Sequence, residues 1–343
     1  MENSIQFNKK GHDAFIDFLK GVCIILVIIT HCLDDELESL TLFQLWGRTA
    51  IPIFLIIQAF HVYKNGFEFR MPDLKKMWLR IIRPYLIIQI IIALMLLVVH
   101  PVLDFSDYIG HVSLMGGYGP GEYFPWVYCQ FAIIIPMIGP IFKKFKPWQS
   151  LLLFIAASQI IEIACSLSHV SDWPYYSLSA GRYLFLIYLA YILVTRGLVV
   201  NKGTITLSIL SLAATAYFCY SNRSLEPIFF CSTQWSYCHW VCYIYIAYLF
   251  LFGLKLLYLY IVKVPKLRKF IESIGRCSYE IYLFQMLYFA VMAYTVSFLM
   301  GQVVSNHLVF KLSIVIIAVV VSTAIPLLYM KIRKHWRAVL SNK

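Results

Sequence analysis

The sequence predicts an all-α, polytopic integral membrane protein with about ten transmembrane helices and both termini in the cytoplasm. Of its 343 residues, 61% are hydrophobic and only 13% are charged, whereas a typical soluble domain carries about a quarter charged residues. The apolar residues also come in runs of roughly 17 to 25, the length that crosses a hydrocarbon core about 30 Å thick. Composition and run length together exclude a water-soluble class.

Ten such runs define the expected elements in chain order. The predicted spans are Phe15–Leu33, Leu42–Tyr63, Leu79–His100, Tyr123–Phe142, Leu151–His169, Arg182–Val200, Thr204–Tyr220, Tyr237–Val262, Ser278–Phe298 and Leu308–Met330. We expect them to form one integral-membrane domain over residues 1–343, with short cytoplasmic tails at residues 1–13 and 331–343.

The basic residues orient these spans. A formal net charge of +12 would also suit a nucleic-acid-binding protein, yet most of the 29 Lys and Arg residues fall on alternate connections. The opposite connections hold acidic stretches such as Asp34-Asp35-Glu36. The positive-inside rule therefore places both termini in the cytoplasm, and we expect a lipid bilayer, not nucleic acid, as the partner.

The nine cysteines predict no metal centre. They are scattered, mostly within spans and without a Cys-x-x-Cys pair, as is typical of small buried apolar residues. Cys238, His239 and Cys242 are close in sequence, but a helix turns neighbouring side chains about 100° apart. We therefore expect no bound metal.

The first span contains two ionisable residues, Lys20 and His31. Eleven residues at about 100° each return to nearly the same helix face, so the two side chains share one face, roughly 16 Å apart along the axis. Imidazole, with a pKa near 6.5, takes a proton from a hydroxyl and returns it to a leaving thiolate. This predicts a base for acyl transfer; an interfacial histidine and a lysine that reaches the headgroups are the alternative.

Arginines occur at the ends of the next two spans. Arg48 opens the second span at the depth expected for His31, where a guanidinium stabilises an oxyanion or simply anchors the helix. Arg80 and Arg83 follow Lys75 and Lys76 at the cytoplasmic end of the third span. Their i, i+3 spacing predicts one helix face that clamps phosphates, with positive-inside anchoring as the alternative.

Four residues are expected to contact a substrate from the outer side: Glu122, Trp126, Glu162 and Arg182. Glu162 lies inside the fifth span and therefore needs a polar or aqueous neighbour, and Arg182 opens the sixth span from the same side. Glu122 precedes a helix, where a carboxylate also complements the helix dipole. The glycine-rich residues 116–121 predict a flexible loop that covers an acceptor.

Four motifs occur in the order typical of one family. The first, a basic residue followed by ten residues and a histidine, is Lys20 and His31, with lysine in place of the usual arginine. The second, Phe54–Phe60, matches Phe-Phe-x-x-Ser-Gly-Tyr loosely, with Gln58 and Ala59 as departures.

The third motif, an arginine pair before proline, is Arg80, Arg83 and Pro84. The fourth, Ile274–Gln285, is similar to Gly-x-x-Ser-Tyr-x-Ile-Tyr-Leu-x-His, with Gln285 in place of a histidine and so without a base there. On these motifs, nearly the whole chain resembles the membrane acyltransferase-3 family.

The resemblance implies an acyl-CoA-dependent O-acyltransferase of the bacterial inner membrane. It would move an acetyl or other short acyl group from cytoplasmic acetyl-CoA or another acyl-CoA to a hydroxyl of an extracytoplasmic glycan, such as a surface polysaccharide or a lipid-linked sugar. With the arguments above, the expected site residues are His31 and Arg48 for catalysis and Lys20, Lys75, Lys76, Arg80 and Arg83 for the donor.

Two other functions stay open. A multi-pass transporter or exporter of a glycan or small molecule would also carry intramembrane charges, although no repeat-like symmetry or pair of broken helices favours it. A family member that only binds or scaffolds partners is the third interpretation. A homodimer is also compatible with the sequence.

Overall fold

A computed structural model shows a bundle of helices. It describes residues 3–5, 13–64, 66, 71–99, 108–110, 112, 116–167, 178–220, 239–304 and 306–341. Cys238, one of the three residues considered for a metal above, lies outside this described part of the chain.

The first half of the described chain contains eight helices, and two pairs of them are joined end to end by a turn of different geometry. Its helices are α1 (Ala14–Thr30), α2 (Asp35–Leu40), α3 (Phe43–Trp46), α4 (Ala50–Lys64), α5 (Met71–Met77), α6 (Arg83–Val99), α7 (Phe124–Lys144) and α8 (Pro147–Leu167). A 3-10 turn at Gly47–Thr49 joins α3 to α4, and a π turn at Trp78–Ile82 joins α5 to α6.

The second half of the described chain also contains eight helices, several of them joined end to end by short turns. Its helices are α9 (Leu184–Arg196), α10 (Lys202–Tyr220), α11 (Tyr243–Tyr245), α12 (Leu251–Ile261), α13 (Pro265–Arg276), α14 (Ser278–Leu287), α15 (Ala293–Val303) and α16 (His307–Ser341). A 3-10 turn at Ala180–Tyr183 precedes α9, another at Trp240–Cys242 precedes α11, and π turns at Ile246–Phe250 and Tyr288–Met292 join α11 to α12 and α14 to α15.

Eight helices of the described chain are long and apolar enough to cross a membrane. They are Phe43–Lys64, Asp73–Val98, Phe124–Phe142, Pro147–Cys165, Lys202–Tyr220, Trp240–Ile261, Ser278–Val303 and His307–Trp336. The remaining two predicted spans correspond to α1, with 17 residues, and to the 13 residues of α9 with the four of the turn before it. The protein is therefore a helical membrane protein; the count of ten and the cytoplasmic termini stay predictions.

The predicted sixth span is wrong at its end. Its helix stops at Arg196 because Gly197 adopts φ 73°, a left-handed conformation that glycine adopts without strain. Leu198–Val200 then forms strand β2, which pairs antiparallel with β1, Asn3–Ile5. The pairing places the start of the chain and the end of α9 on one side of the bundle, here called the N-terminal face.

The central helix is α1, which packs against α4, α12, α13, α14 and α16. Its closest neighbour is α13, and the two backbones touch. A Cβ atom added at Gly275 would lie 1.7 Å from the carbonyl oxygen of Asp17, and one added at Gly21 would lie 2.3 Å from that of Ile271. Small residues allow helices to approach this closely in membranes, so the crossing depends on glycine in both helices.

Candidate active site

A cavity of about 240 Å³ opens beside α1. Lys20, Ile24 and Val27 line it from one face of α1, and Gln58 and His61 line it from α4. The starts of α7 and α14 and the end of α13 complete the wall. The cavity thus follows α1 for about 10 Å, the rise of seven helical residues.

The end of the cavity nearest the N-terminal face is basic. Lys20, His61 and Arg276 all line it, and its lining contains no carboxylate among the described residues. Asp17 stands just behind, with its Oδ2 atom 3.5 Å from the Arg276 guanidinium. This arrangement suits an anionic ligand.

His61 and Arg276 were not among the predicted site residues. Each adjoins or belongs to one of the four sequence motifs: His61 directly follows Phe54–Phe60, and Arg276 lies within Ile274–Gln285. Their meeting depends on the α1–α13 crossing, in which Gly275 touches the backbone of Asp17. No sequence signal other than motif adjacency predicts it.

His31 lies one helical turn beyond Val27. Helix α1 is unbroken from Ala14 to Thr30, and His31 caps its end. The imidazole is exposed, and its ring meets the Phe289 ring edge-on at 5.8 Å between centroids. His31 does not line the cavity, but it stands about 6 Å along the helix axis from the last α1 residue that does.

Arg48 is close enough to His31 to interact with it electrostatically. One guanidinium nitrogen of Arg48 lies 3.2 Å from the Glu38 carboxylate, which is buried and also accepts a hydrogen bond from Gln44 at 3.0 Å. Arg48 is therefore an ion-paired residue beside His31, and its charge is partly offset.

The glycine-rich residues 116–121 are fixed in place, so the expectation of a flexible loop is wrong. The Tyr85 hydroxyl and the Trp126 indole N–H both donate to the Gly116 carbonyl, the second at 2.6 Å. Gln89 donates to the Tyr118 carbonyl at 3.1 Å and accepts from the Tyr118 N–H at 2.7 Å. Side chains of α6 and α7 thus satisfy the loop backbone, as non-helical backbone inside a membrane bundle requires.

Helix α14 holds the same loop from the other side. The Tyr282 hydroxyl donates to the Gly121 carbonyl at 2.7 Å, and the Gln285 amide donates to the Pro120 carbonyl at 3.2 Å. Gln285, which replaces the histidine of the fourth motif, therefore has a structural contact. Because Tyr282 also lines the cavity, the loop forms part of its surroundings.

Glu122 and Trp126, two of the predicted substrate residues, belong to this loop region. Glu122 is buried, and burial raises the pKa of its carboxyl to about 7, while hydrogen bonds from the backbone of Gly121 and Glu122 act in the opposite direction. The Trp126 indole N–H donates to the Gly116 carbonyl of the loop. Its ring packs edge-on against the Tyr85 ring, at 6.1 Å between centroids. The cavity itself is lined instead by their neighbours Phe124 and Pro125.

Arg182 and Glu162, the other two, are buried in the wall behind the loop. The Arg182 guanidinium lies over the rings of Tyr183 and Tyr123, at 4.6 and 5.1 Å from their centroids, where cation–π attraction stabilises it. Glu162 lies in α8, which packs against the turn that carries Arg182. Through Tyr123 the Arg182 side chain adjoins Glu122, but neither Arg182 nor Glu162 lines the cavity.

Arg80 and Arg83 are exposed beside the cavity. Between them, Ile81 lines it, and the Ile81 carbonyl accepts a hydrogen bond from the Tyr279 hydroxyl at 2.6 Å. Arg80 lies inside the π turn and Arg83 ends it, so the regular i, i+3 geometry assumed for the pair does not apply.

Lys75 and Lys76 are also exposed, on α5. Lys76 forms an ion pair with Asp73 at 2.9 Å. Neither lysine lines the cavity, although both lie on the helix that supplies Ile81.

Comparison with known proteins identifies the family of the chain. No curated protein and no solved structure matches it. The acyltransferase-3 family, described as an acyltransferase domain, matches residues 13–340, which include α1, the cavity and the glycine-rich loop. The chain therefore belongs to the acyltransferase-3 family, and it is a membrane acyltransferase.

Proposed function

We propose that the protein transfers an acetyl or other short acyl group from cytoplasmic acyl-CoA to a hydroxyl of an extracytoplasmic glycan or lipid-linked sugar. One observation carries this proposal: the basic cavity follows α1 from Lys20 to Val27 and ends one turn before His31. A donor bound there would approach His31 from the N-terminal face, which the positive-inside rule predicts to be cytoplasmic.

The charges support acyl-CoA as the donor. Lys20, His61 and Arg276 line the basic end of the cavity, and the phosphates of CoA are anions that such residues bind. Arg80 and Arg83 flank Ile81, which lines the same cavity. They would hold phosphates outside the cavity, with Lys75 and Lys76 nearby, while the acyl-pantetheine arm extends along α1.

The proposed reaction uses His31 as a general base. The neutral imidazole takes the proton of the acceptor hydroxyl, the hydroxyl oxygen attacks the thioester carbonyl carbon, and the carbon–sulfur bond breaks. The imidazolium then returns its proton to the CoA thiolate. Arg48 would stabilise the negative charge that develops on the carbonyl oxygen, with an effect limited by its ion pair to Glu38.

The acceptor would reach His31 from the opposite side, where the imidazole is exposed. We propose a surface polysaccharide or its lipid-linked precursor in a bacterial inner membrane, and O-acetylation as the modification. Glu122, Trp126, Glu162 and Arg182 would then act from behind the glycine-rich loop, by fixing its shape.

The test is acetyl-CoA binding and slow thioester hydrolysis by the purified protein in detergent. We expect wild type to bind acetyl-CoA and release free thiol, and His31→Ala to bind it equally but release thiol about 100- to 10,000-fold more slowly, the usual contribution of a general base. Full turnover by His31→Ala would exclude His31 as the base, and absence of CoA binding by folded wild type would favour a transporter.

A further inference from the structure

Helix α13, Pro265–Arg276, joins two candidate spans. The span before it ends at Ile261, and the span after it begins at Ser278. Consecutive spans are joined on one side of a membrane, so this helix of 12 residues, about 18 Å long, runs along that side and does not cross. Because Gly275 touches Asp17 in the first turn of α1, that side is the N-terminal face.

The outward surface of α13 has two different sides. Its apolar side is formed by Leu267 and Phe270, which are 43% and 52% exposed. Its basic side is formed by Lys266 and Lys269, which are also exposed. The i, i+3 spacing keeps each pair together, and at about 100° per residue the two pairs lie about 100° apart around the helix axis. A helix that lies in a membrane interface has this pattern, with apolar side chains toward the acyl chains and lysines at the headgroups.

The two lysines have no acidic partner within α13. Its one carboxylate, Glu272, is buried, and the Glu272 Oε1 atom lies 3.5 Å from the Arg268 Nε atom. Neither Lys266 nor Lys269 forms an ion pair with another described residue. The surface of α13 therefore complements a phospholipid that has both an anionic headgroup and acyl chains. A soluble anion such as free phosphate would use the lysines but not the apolar side.

We propose that α13 is a docking surface for anionic phospholipid, with its apolar side among the acyl chains and the lipid phosphates on Lys266 and Lys269. The occupant is the leaflet at the N-terminal face, which the positive-inside rule predicts to be cytoplasmic and where anionic lipids make the membrane surface negative. This contact also bears on the cavity, because α13 supplies Arg276 to its lining. The bilayer would thus hold the helix that forms this part of the cavity wall.

The experiment places a fluorescent reporter on the apolar side, in the variant Phe270→Trp. The purified variant is reconstituted in vesicles of equal parts phosphatidylcholine and phosphatidylglycerol, in which the acyl chains of one lipid or the other carry bromine, a contact quencher of indole. Wild type in the same vesicles corrects for the native tryptophans. We expect the added indole to be quenched by both lipids and more strongly by brominated phosphatidylglycerol. The preference should be about fivefold for each lysine, or about 1 kcal/mol, and should fall as salt screens the charges.

Two double variants of the Phe270→Trp protein test the lysines. Lys266→Gln with Lys269→Gln should abolish the preference for phosphatidylglycerol and leave quenching by brominated phosphatidylcholine in place. Lys331→Gln with Lys334→Gln is the matched control, because it removes two exposed lysines at the same i, i+3 spacing from the end of α16. This control should keep the preference.

Each contrary result points to a different arrangement. An added indole that neither brominated lipid quenches would place the apolar side of α13 in water and overturn the proposal. Equal quenching by the two lipids, or an equal loss of preference in the two double variants, would exclude a specific contact of Lys266 and Lys269 with anionic headgroups. Acetyl-CoA should bind Lys266→Gln with Lys269→Gln in detergent as tightly as it binds the parent protein. A weaker affinity would assign the two lysines to a soluble phosphate ligand and not to lipid.

Discussion

The two ends of α1 are held by different physics. Near the N-terminal face, α1 and α13 touch through their backbones at Gly21 and Gly275, and a cavity opens beside them. At the other end, short-range packing gives way to ion pairs: Arg48 with Glu38, and Lys311 with the segment before and within α2. The end of α1 at the N-terminal face, here called the inner end, is therefore set by the close fit of two backbones. The opposite end, here called the outer end, is set by charged side chains, whose attraction depends on salt and pH.

The largest expected effect comes from filling the contact at the inner end. Gly275→Ala would place a Cβ atom 1.7 Å from the Asp17 carbonyl oxygen. The helices must separate, so we expect the free energy of unfolding to fall by about 3 kcal/mol, the upper end of the usual cost of overpacking. Thermal unfolding in detergent measures the loss. Gly253→Ala, in α12, places the new atom more than 4 Å from every neighbouring atom of the described residues and should be neutral or stabilising; equal losses would contradict the crossing.

The second effect concerns the loop between the two ends. Burial raises the pKa of the Glu122 carboxyl from 4.5 to about 7, so the folded state holds a proton that the unfolded state loses. Stability should therefore be greatest below about pH 4.5 and decline until about pH 7, by up to about 3 kcal/mol. Glu122→Gln should remove this decline from a series of melting temperatures across that range. A wild-type slope that persists in the variant would assign the titration to another group.

A smaller effect tests whether Arg276 binds the donor directly or only adds to the positive charge of α13. Arg276→Ala should weaken acetyl-CoA binding about 5- to 10-fold, or about 1 kcal/mol, because Arg276 lines the cavity. Lys266→Ala removes the same charge from the same helix at an exposed position and serves as control. Equal losses in the two variants would mean that α13 attracts anions only through its overall charge.

The smallest effect is expected at the outer end. Lys311 Nζ lies 2.6 Å from Asp34 Oδ2 and 2.7 Å from Glu36 Oε2, and the hydrogen bond to Lys311 lowers the pKa of the exposed Asp34 carboxyl. The contact contributes stability above the ordinary pKa of aspartate and loses it as pH falls through the lowered value.

Lys311→Met should therefore lower the melting temperature slightly at pH 7, by an amount that shrinks as the pH falls below the ordinary pKa of aspartate. The control is Lys334→Met, on the same helix at an exposed position. A pH-independent difference between Lys311→Met and wild type would point to packing and not to the ion pair.

Hydropathy predicted the helices of the bundle well because each apolar run has to cover the same membrane thickness. The end of the sixth span was wrong because a single glycine, Gly197, overrides a run of apolar residues. Lys20, the basic residue of the first motif, lines the cavity together with Ile24 and Val27, whereas His31 does not. The roles of His31, Arg80 and Arg83 stay predictions.

The remaining parts of the site depend on contacts between distant segments. The glycine-rich residues 116–121 look flexible in isolation, and they are fixed by Tyr85 and Tyr282, 31 and 161 residues from the carbonyls they bind. Arg276 reaches the cavity only because two helices approach through glycine. Periodicity describes one helix at a time, so it carries no information on such meetings.

The π turn at Trp78–Ile82 makes the site sensitive to the number of residues in this helix. A π turn holds one residue more than an α turn, so it turns everything before it by about 100° relative to everything after it. Deleting a single residue here would swing Lys75 and Lys76 by more than a quarter of a turn around the helix axis. It would also withdraw the Ile81 carbonyl from the Tyr279 hydroxyl. The spacing between the basic residues and the cavity is thus set by one inserted residue, which a tyrosine from another helix holds in register.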